Sequence, residues 1–78
     1  MNVEHLVTMA NQIADFFDSE AGREVAPKEI AGHITKFWAP RMRAAYMEHA
    51  AAGGAGLRPS ALAAAALLKP VPVPSTAA

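Results

Sequence analysis

The 78-residue sequence contains no cysteine, so it forms no disulfide and offers no thiolate nucleophile or thiolate metal ligand. Its seven Lys and Arg residues are balanced by seven Asp and Glu residues. This neutrality argues against nucleic-acid binding, because attraction to the phosphate backbone needs a large positive excess. No apolar run reaches the roughly 18 to 20 residues of a membrane span. We therefore expect a soluble, cytoplasmic protein that binds neither nucleic acid nor membrane.

Motifs for catalysis and metal binding are also missing from the sequence. His5, His33 and His49 stand far apart, without the i, i+4 spacing that places two ligands on one helix face. No serine lies in a GxSxG context, and the glycines over 53–56 lack the Lys-Ser/Thr of a phosphate-binding loop. The sequence therefore predicts no catalytic residue, no cofactor-binding residue and no metal ligand, and we expect that the chain is not an enzyme.

The apolar content of 53% includes few large side chains, since aromatic residues make up only 6%. Apolar residues in the first part of the chain recur at spacings of three and four, which predicts a helix from Asn2 to about Asp18 with Asn2 as its N-cap. Met9 and Phe16 widen the apolar arc beyond what one partner helix covers. The main stripe comprises Val3, Leu6, Val7, Ala10, Ile13, Ala14 and Phe17.

Prolines divide the middle of the chain into two further helices. Pro27 suits the first turn of a second helix, which must stop before Pro40 because the residue preceding a proline is pushed out of helical geometry. Pro40 then opens a third helix that runs to about Ala51, before a glycine-rich stretch. The predicted inner residues are Ile30, Ala31, Ile34, Phe37 and Trp38 on the second helix, and Met42, Ala45, Tyr46 and His49 on the third.

These patterns predict an all-α protein in which residues 1–58 form a small three-helix domain. Pro59 can begin a short helix over 59–69, so a four-helix arrangement is the alternative. The alternating prolines over 70–78 predict an extended or disordered tail. A chain this short buries a modest fraction of its surface, so we expect it to need a partner for full stability.

Charge is unevenly distributed along the chain. Residues 1–24 hold five acidic residues and one basic residue, whereas residues 25–43 hold four basic residues and one acidic residue. One interpretation is that these opposite charges attract when the first two helices pair. The other is that Arg41 and Arg43 contact an acidic or carbonyl-rich surface of another protein, since planar guanidinium groups are frequent in interfaces.

Residues 33–43, HITKFWAPRMR, concentrate aromatic and basic side chains, including the only tryptophan. Trp38 suits a small core, with its indole N–H bonded to a carbonyl at the end of the second helix. Trp, Phe, Met and Arg are also the residues that protein interfaces favour. We therefore predict a partner-binding set made of His33, Phe37, Trp38, Arg41, Met42 and Arg43.

Three stretches, LVTMANQIADFF, IAGHITKFWAPRMR and HAAAGGAGLRP, resemble the delta subunit family of NAD-dependent formate dehydrogenases over about residues 5–59. The resemblance implies a non-catalytic subunit that binds the large catalytic (alpha) subunit and supports assembly or stability of the complex, which also contains beta and gamma subunits. It implies that the complex, not this chain, carries bis-molybdopterin guanine dinucleotide with molybdenum or tungsten, iron-sulfur clusters and FMN. The alternative is a transient maturation factor for the catalytic subunit or its pterin cofactor.

Overall fold

Four helices make up the regular structure of residues 2–70. The computed structural model describes residues 2–70, and residues 71–78, most of the predicted tail, lie outside this part. Helix α1 spans Val3–Glu20, α2 spans Ala26–Phe37, α3 spans Pro40–Ala51 and α4 spans Pro59–Leu67. The prediction of an all-α fold is confirmed, and the fourth helix that the sequence left open is present.

The helices begin where the sequence predicts. The side-chain oxygen of Asn2 accepts hydrogen bonds from the backbone N–H groups of Glu4, at 2.9 Å, and His5, at 3.3 Å. These bonds satisfy two of the donors that a helix leaves free at its first turn. Helices α2, α3 and α4 each have a proline at the first or second position, where the missing N–H costs nothing.

The chain reverses after α3 through a tight turn that depends on Gly54. This residue has φ +64, and a Cβ there would lie 2.5 Å from Cδ1 of Leu62. Any side chain at this position would therefore be strained by the backbone conformation and would require the Leu62 side chain to move. The reversal returns α4 onto α2, and these two helices form the most extensive helix pair. The short helix predicted over 59–69 thus shares one core with the three helices before it.

The core is built largely from small residues, which lets the helix backbones approach closely. Its largest fully buried side chains are Tyr46, Ile30 and Ile34. The rings of Trp38 and Tyr46 meet edge to face, 5.5 Å apart, and the Tyr46 hydroxyl donates to the Ala61 carbonyl. The other core residues are Leu6, Ala10, Ala14, Ala26, Ala31, Ala64, Ala65 and Leu68.

Helix α1 is joined to the segment before α4 by polar contacts. Asn11 donates to the Gly56 carbonyl and accepts from the backbone N–H of Arg58, each at 2.8 Å. Arg58 also forms an ion pair with Asp15, with 3.0 Å between Nε and Oδ1. Within residues 2–70, the acidic α1 therefore makes its ion pair with Arg58, which precedes α4.

Candidate partner-binding surface

Four ring side chains form a continuous row across the outer faces of α1 and α2, which we call the aromatic row. The ring centroids of Phe16 and Phe17 lie 5.0 Å apart, those of Phe17 and His33 6.3 Å, and those of His33 and Phe37 4.8 Å. The two ends of the row are open to solvent, with Phe16 59% and Phe37 71% exposed. Next to Phe16 the row borders a shallow apolar depression of about 250 Å³.

Helical periodicity explains why the row lies outside the core. Ile30 and Ile34 of α2 and Trp38, which caps its end, follow each other at intervals of four and are buried. His33 and Phe37 are also four residues apart, so they share the neighbouring strip of the helix. The prediction that Phe37 faces the core is therefore wrong, because position 37 lies on the outer strip.

Phe16 was missing from the predicted partner-binding set, and Phe17 was assigned only to the core stripe. Phe17 is half-buried and packs against the core while also joining the row. The sequence carried a signal for this surface, because Phe16 widened the apolar arc of α1 beyond a single contact face. What the sequence did not show is that His33 and Phe37 extend this arc onto a second helix.

Trp38 and Met42 contribute mainly to the interior. Trp38 is only 5% exposed and belongs to the core, while Met42 is half-buried and packs against the same core. Trp38 begins the extended link between α2 and α3, and its backbone N–H still bonds to the Ile34 carbonyl at 2.9 Å. Both residues hold the α2–α3 junction in place beneath the surface that Phe37 presents.

The two predicted arginines occupy different environments. Arg43 is half-buried, and its Nη1 donates to the carbonyl of Trp38 at 2.8 Å and reaches that of Thr35 at 3.4 Å. These carbonyls lie at the end of α2, where a helix leaves acceptors unpaired and its dipole favours a cation. Arg41 is exposed. Arg43 therefore stabilises the α2–α3 junction, whereas Arg41, in the first turn of α3, is exposed to solvent.

The one tyrosine of the chain is taken up by the core. Burial raises the pKa of Tyr46 to about 12, and its hydroxyl is occupied by the Ala61 carbonyl inside the core. In residues 2–70, no three His, Cys, Asp or Glu side chains lie close enough together to hold a metal ion. Over the same range, no helix has the length and apolarity that crossing a membrane requires.

Comparison with protein families matches most of the chain to a known family. The family model of the NADH-dependent formate dehydrogenase delta subunit, FdsD, matches residues 5–65. Neither the comparison with curated proteins nor that with solved structures gives a match. The matched region includes all four rings of the aromatic row, both arginines and most of α4. Because it covers well over half of the sequence, the chain belongs to the family of NADH-dependent formate dehydrogenase delta subunits.

Proposed function

We propose that this chain is a non-catalytic subunit that binds the alpha subunit of a cytoplasmic, molybdenum- or tungsten-containing formate dehydrogenase and supports assembly or stability of the complex. The aromatic row, together with Arg41, is the surface that makes this contact. Two phenylalanines that are 59% and 71% exposed on so small a domain are the observation that carries the proposal. Exposed aromatic side chains that adjoin one another suit a partner-binding surface, because aromatic residues are enriched at interfaces.

The row has the composition of an interface core with a charged edge. Covering its two exposed phenylalanines removes on the order of 200 Å² of apolar surface from water, worth about 5 kcal/mol before the costs of association. The row is also held in place before binding, because Phe17 packs against the core and each ring contacts the next. Preorganisation reduces the entropy lost when a partner binds. Arg41 adds a solvent-exposed guanidinium that suits a carboxylate or carbonyl of the partner.

The family assignment supports the choice of partner. A delta subunit acts within a formate dehydrogenase complex, so we place the pterin cofactor, the metal, the iron-sulfur clusters and FMN in the alpha, beta and gamma subunits. The role of this chain's own residues is then to bind and to order a surface of the large subunit. Binding of this kind stabilises the bound form of the partner by mass action.

Affinity purification through a tag on this chain tests the proposal. We expect the catalytic subunit to co-purify and the eluate to contain molybdenum or tungsten. The Phe16→Ser/Phe37→Ser variant should retain helicity, because both side chains are exposed, and should lose at least about thirtyfold in affinity, corresponding to about 2 kcal/mol. Val25→Ser is the matched control, since Val25 is 48% exposed at the start of α2 and lies outside the row.

Three results would count against the proposal. Wild-type affinity of the Phe16→Ser/Phe37→Ser variant would exclude the aromatic row from the contact. An equal loss for Val25→Ser would show that the effect is not specific to the row. Co-purification of an immature, metal-free catalytic subunit alone, with none of the active complex, would favour the transient maturation factor over a permanent subunit.

A further inference from the structure

A second surface lies where α2, the start of α3 and the end of α4 meet. It is a groove of about 840 Å³ whose lining includes Gly32, Leu67, Leu68 and Pro70. Leu67 is 56% exposed, so the groove presents apolar surface to solvent. We call this surface the basic groove, because three cationic side chains also line it. It is separate from the aromatic row, and none of the four rings contributes to its lining.

The cations come from three different parts of the fold. Lys28 lies in the first turns of α2, Arg43 in α3, and Lys69 directly after α4. The lining contains no Asp or Glu, and the ion pair found within residues 2–70 joins Arg58 to Asp15, which lie elsewhere. Arg43 bonds to backbone carbonyls through Nη1, and a guanidinium has five N–H donors, so it can still donate to a ligand. A groove with an apolar floor and a rim of one charge complements an acidic, amphipathic segment.

Gly32 gives an independent reason to expect an occupant. This glycine lies inside α2, where alanine would form a more stable helix. Its φ is not positive, and a Cβ there would meet nothing within 4 Å. Neither backbone conformation nor packing within residues 2–70 therefore requires glycine at this position. A glycine whose open side faces a groove permits the close approach of another backbone.

We infer that the basic groove binds an acidic, amphipathic segment of the catalytic subunit, with its backbone passing close to Gly32. Apolar side chains of the segment pack against Leu67 and Pro70, and its carboxylates pair with Lys28, Arg43 and Lys69. The inference rests on the proposed function, since the complex supplies the occupant. It adds a second contact on a different face of the fold.

Zero-length coupling of amines to carboxylates in the purified complex tests this assignment directly. A water-soluble carbodiimide joins a lysine to an Asp or Glu only when the two are in contact. Mass spectrometry should find Lys28 and Lys69 joined to acidic residues of one segment of the catalytic subunit. An intact complex in which neither lysine is joined to that subunit overturns the inference and leaves the proposed function standing. A wild-type chain that captures no formate dehydrogenase subunit overturns both.

Variants supply a second readout. Lys28→Glu/Lys69→Glu should weaken binding of the catalytic subunit at least about tenfold, whereas Arg23→Glu, in the exposed loop before α2, should leave binding unchanged. Equal effects of the two charge reversals would overturn the assignment. Capture of a fluorescent single-stranded oligonucleotide that depends on Lys28 would overturn it too, because the groove would then bind nucleic acid.

Two substitutions at Gly32 distinguish an effect on stability from an effect on binding. Gly32→Ala should raise the melting temperature of the isolated chain by about 4 °C, because it removes a helix-destabilising residue without a steric conflict. Gly32→Leu should stay helical, since its side chain extends into open groove, but should bind the catalytic subunit at least about tenfold more weakly. Wild-type binding by Gly32→Leu would show that no segment approaches Gly32.

Discussion

Arg43→Ala should destabilise the isolated chain, whereas Arg41→Ala should not, although the two residues are neighbours in a basic cluster. Arg43 donates to the Trp38 carbonyl at 2.8 Å and reaches the Thr35 carbonyl at 3.4 Å. Arg41 is exposed, and no hydrogen bond of its side chain is found within residues 2–70. The structure thus gives Arg43 a defined role in the fold, whereas the Arg41 side chain is exposed.

The size of the effect follows from these contacts. A hydrogen bond from a charged donor contributes about 1.5 to 3 kcal/mol, while a contact near 3.5 Å adds little. The favourable position at the helix C-terminus adds about 0.3 to 1 kcal/mol. Because Arg43 is only half-buried, we take the lower part of this range and expect Arg43→Ala to lower the free energy of unfolding by about 2 kcal/mol. In a chain of this size, that loss lowers the melting temperature by roughly 10 °C.

Urea denaturation followed by circular dichroism at the helix band measures both variants. Arg41→Ala is the matched control and should change the free energy of unfolding by less than about 0.5 kcal/mol. Arg43→Lys keeps the charge but not the planar donor set, so it should fall between Arg43→Ala and the wild type. Equal stabilities of Arg41→Ala and Arg43→Ala would refute the capping role of Arg43.

Three further changes test the packing of the core. Trp38→Ala should lower the free energy of unfolding by about 3 to 5 kcal/mol in thermal melts, because the indole is buried; a loss below about 1 kcal/mol would contradict this. The contribution of Tyr46 to stability should be fully present well below pH 10 and should be lost, on the order of 2 kcal/mol, as the pH rises from 10 to 12, because burial raises its pKa to about 12 in the fold and the unfolded chain deprotonates first. Tyr46→Phe should remove this component of the alkaline loss, and an unchanged pH profile would show another origin. Gly54→Ala should destabilise the chain by about 1 kcal/mol or more in the same melts, because φ +64 disfavours a residue with a Cβ and the Leu62 side chain must also move; a neutral effect would show that the turn does not require glycine.

The helix boundaries were predictable because proline and asparagine act locally. Asn2 caps α1, and Pro40 both ends α2 and begins α3, as their backbone chemistry requires. The buried stripe of α1 was also predictable in its centre, where Leu6 and Ala10 are buried as the periodicity indicates. Val3, at the first turn, is 36% exposed, because little of the fold extends over that end.

Other features depend on contacts between distant parts of the chain. The sequence analysis put Trp38 and Phe37 on one face of α2, yet Trp38 is 5% and Phe37 71% exposed, because position 37 lies on the strip next to the one that Ile30 and Ile34 bury. The role of Arg43 depends on the angle between α2 and α3, which the spacing of residues does not reveal. The alanine-rich α4 shows almost no amphipathic pattern in its sequence, so only its packing shows that Ala61 and Ala64 are core residues.

The candidate site was therefore only partly visible from the sequence. His33 and Phe37 of the predicted set lie in the aromatic row, and Arg41 is exposed as a binding residue must be. The contribution of Phe16 to the row and the groove around Gly32 were not predictable from the sequence. Both surfaces form only when α1 packs against α2 and α2 packs against α4. Whether these surfaces bind the catalytic subunit remains a prediction, for which the variants above supply the tests.

Native mass spectrometry of formate dehydrogenase purified through a tag on its catalytic subunit tests the central claim most directly. We predict that the active, metal-containing complex carries one copy of this chain for each catalytic subunit. In cells that produce only the Phe16→Ser/Phe37→Ser variant, the chain should be missing from the complex. A fully active complex that contains no copy of the wild-type chain would contradict the account of a permanent subunit.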